Sequence, residues 1–392
     1  MQAQTEYTIK TLNNISRTGL DLLTDRFHLV DDAADPDAIL VRSADLHNMP
    51  LTDNIRFIGR AGAGTNNIPI DRCSEAGIVV ANAPGANANG VKELVLTGML
   101  LTSRDILGAI KWVEGLDTSS DVCKTVEAGK KQFVGPEIAG KTLGVIGLGA
   151  TGQKIAGMGV DLGMTVVGYD PFLSVNSALH LDSRVHYVED IKDIFKHCDY
   201  ISLHIPLTAT TKNLVNKELL DLAKENLVLL NIARGGLVDL PALKEALAAR
   251  RIKNYVVDFP DQETLSLPYT INMPHIGAST PESEENSAKM IVEEMMEYLA
   301  LGNIRNSVNF PNCSMGPINS IHRITVLHKN IPSMVAQITT ILAEENMNIS
   351  DLLNRHKNGW AYTMVDLDSH VNERLRDRLN AIEGVVRVRL IR

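Results

Sequence analysis

Short apolar runs alternate with amphipathic stretches along most of the chain. Runs that end in Gly, Asn, Pro or Ser predict early strands at Tyr7–Leu12, Ala38–Val41, 56–59 and 78–81. A second block starts at Thr142–Ile146 and continues to about residue 276, with uniformly apolar strands at 227–230 and 255–257. Because strands that are apolar on both faces occur in parallel sheets covered by helices, this pattern predicts an α/β arrangement with a covered parallel sheet in the second block.

Two longer helices are predicted from their periodicity. Residues 91–107 are apolar nearly all round, which predicts a helix buried between domains or subunits. The other helix follows Thr280, a plausible N-cap, and has Pro281 at its first position. Its apolar residues recur every three to four positions as far as Leu299, as in a helix with one buried face.

The C-terminal residues 320–392 show a different order of elements. Ile324, Val326 and His328 alternate with polar neighbours and predict a strand, which is followed by a helix. Two strands, a basic helix and a last strand then complete the order βαββαβ, which is the ferredoxin-like arrangement. Residues 302–319 are rich in Gly, Pro, Asn and Ser and predict a flexible linker before this small domain.

Composition excludes several classes of function. The chain has 392 residues and a formal net charge of −9, whereas a nucleic-acid binder needs a basic face. Its four cysteines, Cys73, Cys123, Cys198 and Cys313, include no CxxC pair, so we expect reduced thiols and no metal site. Since it has no basic-then-apolar leader and no apolar run of about 18 residues, we expect a cytoplasmic protein without membrane contact.

A glycine-rich turn predicts a dinucleotide site. Gly147, Gly149 and Gly152 form a GxGxxG pattern, with Ala150 and Thr151 between them, after a strand and before a helix. The helix N-terminus supplies N–H groups and partial positive charge to a pyrophosphate. The next strand ends in Asp170, where a carboxylate binds ribose hydroxyls and repels a 2′-phosphate. Residues 171–174 contain no Arg or Lys, so NAD is the expected cofactor.

Several segments resemble the D-2-hydroxyacid dehydrogenase family. They are residues 144–152, 168–171, 198–216, 231–239 and 274–283, together with 59–67 and the turn at 82–84. The resemblance covers roughly 1–310 and implies two flavodoxin-like, doubly wound domains. They are a substrate-binding domain of residues 1–95 and 283–310 and an NAD-binding domain of residues 96–282. The resemblance also implies an active site in the cleft between them and a homodimer or homotetramer.

The resemblance implies roles for particular residues. His275, in a PHxGxST motif, is the expected general base, and Arg234 the expected clamp on the substrate carboxylate. The acid that pairs with the imidazole is expected at Glu263, with Asp261 as the alternative, because the family's pattern is altered after Asp258. The resemblance also implies that residues following several strands bind the cofactor. They are His204, Ile232, Ala233, Arg234, Asp258, His275, Gly277 and Ala278.

Substrate-side cations indicate a phosphorylated hydroxy acid. Arg42 and Arg60 end two early strands and are joined, by resemblance, by Ser43, Gly62 and Asn87. Because a phosphate carries close to two charges, such cations both bind and steer it. These residues resemble the branch of the family that oxidises 3-phosphoglycerate, the first step of serine synthesis. A hydroxypyruvate or glyoxylate reductase and a non-catalytic NAD sensor are the alternatives.

The C-terminal residues resemble the ACT regulatory domain. The segment 328–332 and the later Asn348 match its pattern, except that Ser333 stands where a Gly usually follows the Pro. The resemblance implies that L-serine is the effector and that it is held by His328 and Asn330, on the loop after the first strand, and by Asn348. Domains used only for assembly show the same pattern, so regulation and assembly are both open.

Overall fold

The computed structural model describes residues 5–391, apart from the side chain of Asn176. The chain divides into two compact units. The first comprises the chain up to Ala86 together with the chain from Glu284 onward, and the second is Asn87–Ser283. The predicted change of domain therefore falls at Ala86 and Asn87, ahead of the expected boundary at residue 95.

The N-terminal part of the first unit is built on a five-stranded parallel sheet. Its elements are β1 (Tyr7–Leu12), α1 (Arg17–Leu20), β2 (Phe27–Leu29), β3 (Ala38–Val41), β4 (Phe57–Arg60), α2 (Ile70–Glu75) and β5 (Val79–Asn82). The strand order is β2-β1-β3-β4-β5, the flavodoxin-like order. The four predicted strands are confirmed to within one residue, whereas the three-residue β2 was not predicted.

The second unit is a seven-stranded parallel sheet with helices on both faces. It begins with α3 (Ala88–Ser103), α4 (Ile106–Glu114), α5 (Val122–Gly129), a 3₁₀ turn (Lys130–Phe133), β6 (Thr142–Ile146), α6 (Ala150–Asp161), β7 (Thr165–Tyr169) and α7 (Val175–His180). It continues with β8 (His186–Tyr187), α8 (Ile191–His197), β9 (Tyr200–Leu203), α9 (Lys217–Asp221), β10 (Leu227–Asn231), α10 (Leu240–Ala248), β11 (Ile252–Val257), a 3₁₀ turn (Thr264–Ser266) and β12 (Thr270–Asn272).

The strand order of this sheet is β12-β11-β10-β9-β6-β7-β8. The order reverses between β6 and β9, which in open α/β sheets is the point where ligands bind beyond the carboxyl ends of the strands. β9 and β10 are fully buried, as expected for central strands of a sheet covered on both faces. Both doubly wound domains predicted from the sequence are therefore confirmed.

The predicted helix at 91–107 is two helices. α3 ends at Ser103 because Arg104 is extended, with φ −119° and ψ 145°, and Asp105 then caps α4 by accepting the Gly108 N–H. α3 buries Val91, Val95 and Met99 in the core of the second unit. In contrast, α4 has no buried residue.

The remaining elements are the long helix α11 and the elements of the C-terminal domain. They are α11 (Pro281–Leu301), β13 (His322–Lys329), α12 (Met334–Glu344), β14 (Ile349–Lys357), β15 (Trp360–Leu367), α13 (Glu373–Asn380) and β16 (Val385–Ile391). Thr280 caps α11 through its Oγ1, which accepts the Ser283 N–H at 3.1 Å, as predicted. The last four strands form an antiparallel sheet of order β14-β15-β13-β16, which confirms the ferredoxin-like topology.

The segment 302–319 is not the flexible linker that its composition predicts. Its residues cover the free edge of β5: Ser307 pairs with Ala81, the Val308 N–H donates to the Val80 carbonyl, and Asn309 Oδ1 accepts the Val80 N–H at 3.0 Å. Phe310 is buried in a core shared by both parts of the first unit. The segment is thus an ordered part of the first unit.

Buried arginines fasten the C-terminal domain to α11. Arg389 donates to the carbonyls of Tyr298 and Leu299 at 3.0 and 2.6 Å. Arg323, fully buried, pairs with Asp366 at 2.6 Å and donates to the Leu301 carbonyl. Because these guanidinium groups satisfy carbonyls that end a helix, the contact is specific as well as apolar. Within residues 5–391, no helix is long and apolar enough to cross a membrane.

Candidate functional site

The glycine turn after β6 has the geometry of a pyrophosphate cradle. Gly147 has φ 94°, and a Cβ on it would lie 2.5 Å from the His204 carbonyl oxygen. A Cβ on Gly152 would lie 1.8 Å from the Gly147 carbonyl oxygen, so the first and third glycines are required by the turn itself. Gly149 begins α6 with open space around it, which leaves the helix N-terminus accessible to an anion. The backbone here fits a dinucleotide.

Asp170 is held beside this turn. It follows β7 and is half-buried, with Oδ2 accepting the Leu148 N–H and Oδ1 accepting the Phe172 N–H, both at 2.9 Å. Each carboxylate oxygen can accept a second hydrogen bond, so hydroxyl donors of a ribose can still bind it. The position and the fixed orientation therefore fit the ribose-binding acid expected from the sequence.

His204 lies at the carboxyl end of β9, facing the switch point of the sheet. Its Nε2 lies 2.7 Å from the Ser202 hydroxyl, and burial of the ring lowers the pKa of His204 to about 3. The imidazole is therefore neutral at physiological pH and adds no positive charge beside the glycine turn. Its contribution there is shape and hydrogen bonding.

The loop after β10 is pinned by Asn231. This buried amide accepts the N–H groups of Ala233 and Arg234 at 3.2 and 3.3 Å and donates to the Arg234 carbonyl at 2.8 Å. Its Nδ2 also donates to the Tyr255 hydroxyl at 3.2 Å. The backbone that carries Arg234 is therefore fixed. Among residues 5–391 the exposed guanidinium donates only to the Ala233 carbonyl, so it can bind an anion.

The loop that carries His275 is held by Asp258. Asp258 follows β11, is 1% exposed, and accepts the N–H of Ile276 at 2.9 Å and that of Gly277 at 2.8 Å. His275 itself has φ 56°, a left-handed conformation that is unfavourable for a side chain with a Cβ. Such a conformation persists only where its surroundings enforce it, and the buried carboxylate does so here.

Phe259 connects the two loops. Its ring centroid lies 4.3 Å from the centroid of the His275 imidazole, and the Arg234 guanidinium carbon lies 5.5 Å from the same phenyl centroid. An imidazole and a guanidinium therefore flank one aromatic ring, next to the carboxyl ends of β10 and β11. Sequence reasoning did not identify Phe259, although an aromatic residue directly after Asp258 was a visible signal.

The two candidate acids are in different states. Asp261 Oδ1 accepts the backbone N–H groups of Glu263 and Thr264 at 3.0 and 2.8 Å and so closes its own turn. The Glu263 carboxylate is exposed and has no hydrogen-bond or ion-pair partner among residues 5–391. Neither carboxylate contacts the imidazole in the structure. Glu263 is the one that can turn to it without losing a bond.

The other expected cofactor residues lie on the same loops. Ile232 is buried and Ala233 half-buried after β10, whereas Gly277 and Ala278 follow His275. A Cβ on Gly277 would lie 3.1 Å from Asp258 Oδ2, so a glycine here allows the short hydrogen bond. Thr151 is half-buried in the first turn of α6, and Ala150 is exposed. All of these residues belong to the second unit.

The expected phosphate-binding cations belong to the first unit. Arg42 Nη2 pairs with Glu284 Oε1 at 2.5 Å, and both side chains are about two-fifths exposed (41% and 44%). The Arg60 Nε–H donates to the Arg42 carbonyl at 3.1 Å, and its guanidinium packs on Gly62, where a Cβ would lie 1.9 Å from Nη1. The Ser43 N–H donates to Asn13 Oδ1 at 3.0 Å. Asn87, in contrast, begins the second unit at the N-cap of α3.

The structure agrees only in part with the positions expected for the effector-binding residues. His328 is not on a loop: it lies inside β13, buried, with Nδ1 2.8 Å from the Lys329 carbonyl and Nε2 2.8 Å from the Thr363 hydroxyl. Asn330 is exposed after β13, and its N–H donates to the Gly359 carbonyl. Asn348 is exposed before β14 and donates to Asp368 at 2.7 Å. Ser333 has φ 68°, the conformation that the usual glycine adopts readily.

Comparisons with known proteins agree with this geometry. A family model described as "D-isomer specific 2-hydroxyacid dehydrogenase, NAD binding domain" matches residues 97–277. The chain is 33% identical over 342 residues to D-3-phosphoglycerate dehydrogenase of Methanocaldococcus jannaschii, an alignment covering 85% of this chain but only 63% of the relative. It is 31% identical over 347 residues to D-3-phosphoglycerate dehydrogenase of Escherichia coli strain K12, covering 85% and 81%.

A solved structure shares the fold. NAD⁺-bound 3-phosphoglycerate dehydrogenase of Entamoeba histolytica superposes with a TM-score of 0.59 at 24% identity, covering 78% of this chain and 99% of that one. The alignment with the M. jannaschii relative, in contrast, spans less than two thirds of that protein, 63% of its length. The glycine turn, Arg234, Asp258 and His275 all lie within the part that the family model matches.

Proposed function

The chain belongs to the D-2-hydroxyacid dehydrogenase family and carries its NAD-binding domain, and from this premise we propose that it oxidises D-3-phosphoglycerate to 3-phosphohydroxypyruvate. We assign NAD to residues 96–282, substrate binding to 1–95 and 283–310, and regulation to 320–392. The reaction is the first step of L-serine synthesis, and its substrate is named in both curated relatives described above.

The observation that carries the proposal is the pairing of Arg234 and His275 around Phe259. A 2-hydroxy acid presents a carboxylate and, one carbon away, a hydroxyl whose proton must leave. The guanidinium fork suits the carboxylate, and the imidazole suits the proton, because histidine is the side chain that most often serves as general base. Both groups contact one ring: the Arg234 guanidinium carbon lies 5.5 Å and the His275 ring centroid 4.3 Å from the Phe259 centroid, so the two groups are close enough to act on one small substrate.

The residues divide the reaction between them. NAD, held by the glycine turn and Asp170, would supply the acceptor for the hydride of C2. The C2 hydroxyl proton passes to His275 Nε2 or Nδ1, and the oxygen's electron pair forms the new carbonyl. Arg234 holds the carboxylate and stabilises negative charge as the proton leaves. Glu263, whose carboxylate is uncommitted, stabilises the imidazolium that results.

The phosphate is assigned to Arg42 and Arg60. Arg42 is already paired with Glu284, so a phosphate dianion has to displace this carboxylate or share the guanidinium with it. Arg60 is fixed by its bond to the Arg42 carbonyl, which orients its fork before substrate arrives. Surface ion pairs are worth at most about 1 kcal/mol, so Glu284 is a weak competitor.

A substrate panel tests the proposal. NADH formation is measured with D-3-phosphoglycerate, D-glycerate and D-lactate for the wild type, Arg60→Gln and the surface control Arg374→Gln. We expect the phosphorylated substrate to be preferred by the wild type and the control, and Arg60→Gln to weaken it about 10-fold or more while sparing glycerate. Equal rates on all three acids, or equal losses on both substrates, would contradict the assignment.

Regulation by L-serine is inferred for the C-terminal domain. Asn330 and Asn348 are exposed amides, one directly after β13 and the other directly before β14, and an amide can hold both the amine and the carboxylate of an amino acid. His328 is committed to Thr363 and Lys329, so its role would be to fix the end of β13. Calorimetry with serine on the wild type and on Asn330→Ala plus Asn348→Ala tests this inference, and no heat with the wild type would end it.

A homodimer or homotetramer is inferred from α4. Leu107, Ile110 and Val113 repeat at helical spacing and are 38%, 50% and 49% exposed, a row of apolar side chains that a second subunit would cover. The mass in solution, measured by light scattering, should be twice or four times the 42.8 kDa of one chain. A monomer at micromolar concentration would contradict the inference.

A further inference from the structure

An open cavity of about 500 Å³ lies at the surface of the first unit, where the C-terminal domain meets the sheet of the N-terminal part. Its walls come from the end of β5, the segment around residues 306–312, and the end of β14. None of the residues assigned above to NAD, substrate or serine lines it. The volume is within the range of about 300–1,000 Å³ that small-molecule sites have.

The lining carries positive charge and no carboxylate. Three basic residues at the end of β14, Arg355, His356 and Lys357, line the cavity together with Asn82, Asn306 and Asn312. Arg355 and Lys357 are two residues apart on a strand, so their side chains leave on the same face. No Asp or Glu is among the lining residues.

These two cations lack partners of opposite charge. Within residues 5–391, Arg355 has no hydrogen-bond or ion-pair partner, and Lys357 Nζ donates only to the Ser307 carbonyl, at 2.7 Å. Lys357 is half-buried, and burial lowers its pKa. A partly desolvated ammonium without a carboxylate is unfavourable by itself and is stabilised when an anion binds.

We propose that this cavity is a binding site for a small phosphate-bearing metabolite. The Arg355 fork and the Lys357 point charge are the pair of groups that recognise a phosphoryl dianion. Asn82 and Asn306 each donate one N–H, to the Ala63 carbonyl and to Glu294, and have a second N–H for the ligand's remaining oxygens. The site is separate from the proposed substrate phosphate site at Arg42 and Arg60, and it does not depend on the proposed reaction.

Asn82 connects the cavity to the proposed substrate loop. Its Nδ2 donates to the Ala63 carbonyl at 2.5 Å, and the next residue, Ala83, donates its N–H to the Gly62 carbonyl at 3.0 Å. Arg60 is the last residue of β4, and Gly62 and Ala63 lie in the loop that follows it. A ligand that draws the Asn82 amide therefore alters the support of this loop, and we expect it to change the KM for substrate, an effect that rests on the proposed function.

Binding is tested on the full chain with inorganic phosphate and glycerol 3-phosphate as probes. Crystals soaked in selenate, whose anomalous signal marks a tetrahedral anion, locate the site, and calorimetry measures affinity for wild type, Arg355→Gln, Lys357→Met and Arg374→Gln. Arg374 is an exposed arginine of α13 without a partner within residues 5–391, so it is a matched control.

We expect a selenate peak within hydrogen-bond distance of Arg355 and Lys357. The affinity of this site for phosphate, measured by calorimetry, should fall about 10- to 100-fold in Arg355→Gln and Lys357→Met, since a hydrogen bond to a charged group is worth about 1.5–3 kcal/mol. The control should match the wild type. Tighter binding of glycerol 3-phosphate than of free phosphate would identify an ester as the ligand class, and the reverse would identify free phosphate.

Three results would overturn the proposal. The first is the absence of an anomalous selenate peak in the cavity. The second is equal phosphate affinity in Arg355→Gln and Arg374→Gln. The third is a peak in crystals while phosphate binding in solution is unchanged by either cavity substitution. Turnover of saturating 3-phosphoglycerate without added anion should be unchanged in Arg355→Gln. Because that rate is measured separately, failure of the cavity proposal and failure of the proposed reaction are distinguishable.

Discussion

Replacing Asp258 by Asn tests how the His275 loop is held. The two carboxylate oxygens accept the N–H groups of Ile276 and Gly277 at 2.9 and 2.8 Å, and the side chain is 1% exposed. Asparagine keeps the shape but leaves one oxygen acceptor, so its NH₂ group has to face a backbone N–H. The loop then loses one bond while His275 keeps its unfavourable φ of 56°.

The expected loss can be worked out from these contacts. A hydrogen bond to a charged acceptor contributes about 1.5–3 kcal/mol, and a side chain in the left-handed region costs on the order of 1–3 kcal/mol. Without the carboxylate, the conformation of His275 is no longer enforced, and the productive loop becomes a minority state. Since about 1.4 kcal/mol is tenfold in rate, we expect kcat/KM to fall about 10- to 100-fold.

Steady-state kinetics with NAD and 3-phosphoglycerate varied in turn give the result. Asp190→Asn is the matched control, because Asp190 caps α8 through the Lys192 N–H and asparagine caps a helix equally well. A changed pH profile of kcat/KM in Asp258→Asn would show that the imidazole itself is affected. A folded variant with unchanged kcat/KM, or one in which only the KM for NAD rises, would refute this account of Asp258.

Three further predictions concern other parts of the chain. Glu263→Gln should lower kcat more than Asp261→Asn, in which asparagine can still close the turn; the opposite order in steady-state assays would move the acid role to Asp261. Ser333→Gly should stabilise the chain by about 1 kcal/mol in denaturant unfolding, because it removes a Cβ at φ 68°; a loss of stability would show that the hydroxyl matters. Burial raises the pKa of Glu294 to about 7, so its contribution to the free energy of unfolding is complete below its ordinary pKa and is lost as pH rises through 7. In Glu294→Gln the free energy of unfolding should no longer decline over this pH range. The same pH dependence in wild type and Glu294→Gln would contradict the shift.

The sequence predicts well what depends on local pattern. Apolar strands such as Ala38–Val41 and Thr142–Ile146 appear at their predicted bounds. The glycine turn needs its glycines for reasons of backbone geometry, and their spacing alone reveals it. The division of α3 from α4 was also visible, because Asp105 is a good N-cap within the apolar run. The apolar run outweighed that signal, and the prediction of one helix was wrong.

Non-local pairing explains what the sequence could not show. The composition of 302–319 lacks any strand or helix preference, yet Val308 and Asn309 bond to β5, which lies far away in the chain. His328 looked like a loop residue, but its ring is satisfied by Thr363 on the neighbouring strand. Phe259 acquires its meaning only when the loops after β10 and β11 are side by side.

Transfer of isotope from C2 of the substrate tests the central claim most directly. The wild type and His275→Ala are each given NAD and D-3-phosphoglycerate deuterated at C2, and the deuterium in the reduced cofactor is measured with the rate. We predict that label moves from C2 to the cofactor in the wild type and that the rate falls about 10²- to 10⁴-fold in His275→Ala, since a positioned general base contributes that much. Label found in water, no reduced cofactor from the wild type, or an unchanged rate without His275 would contradict the account.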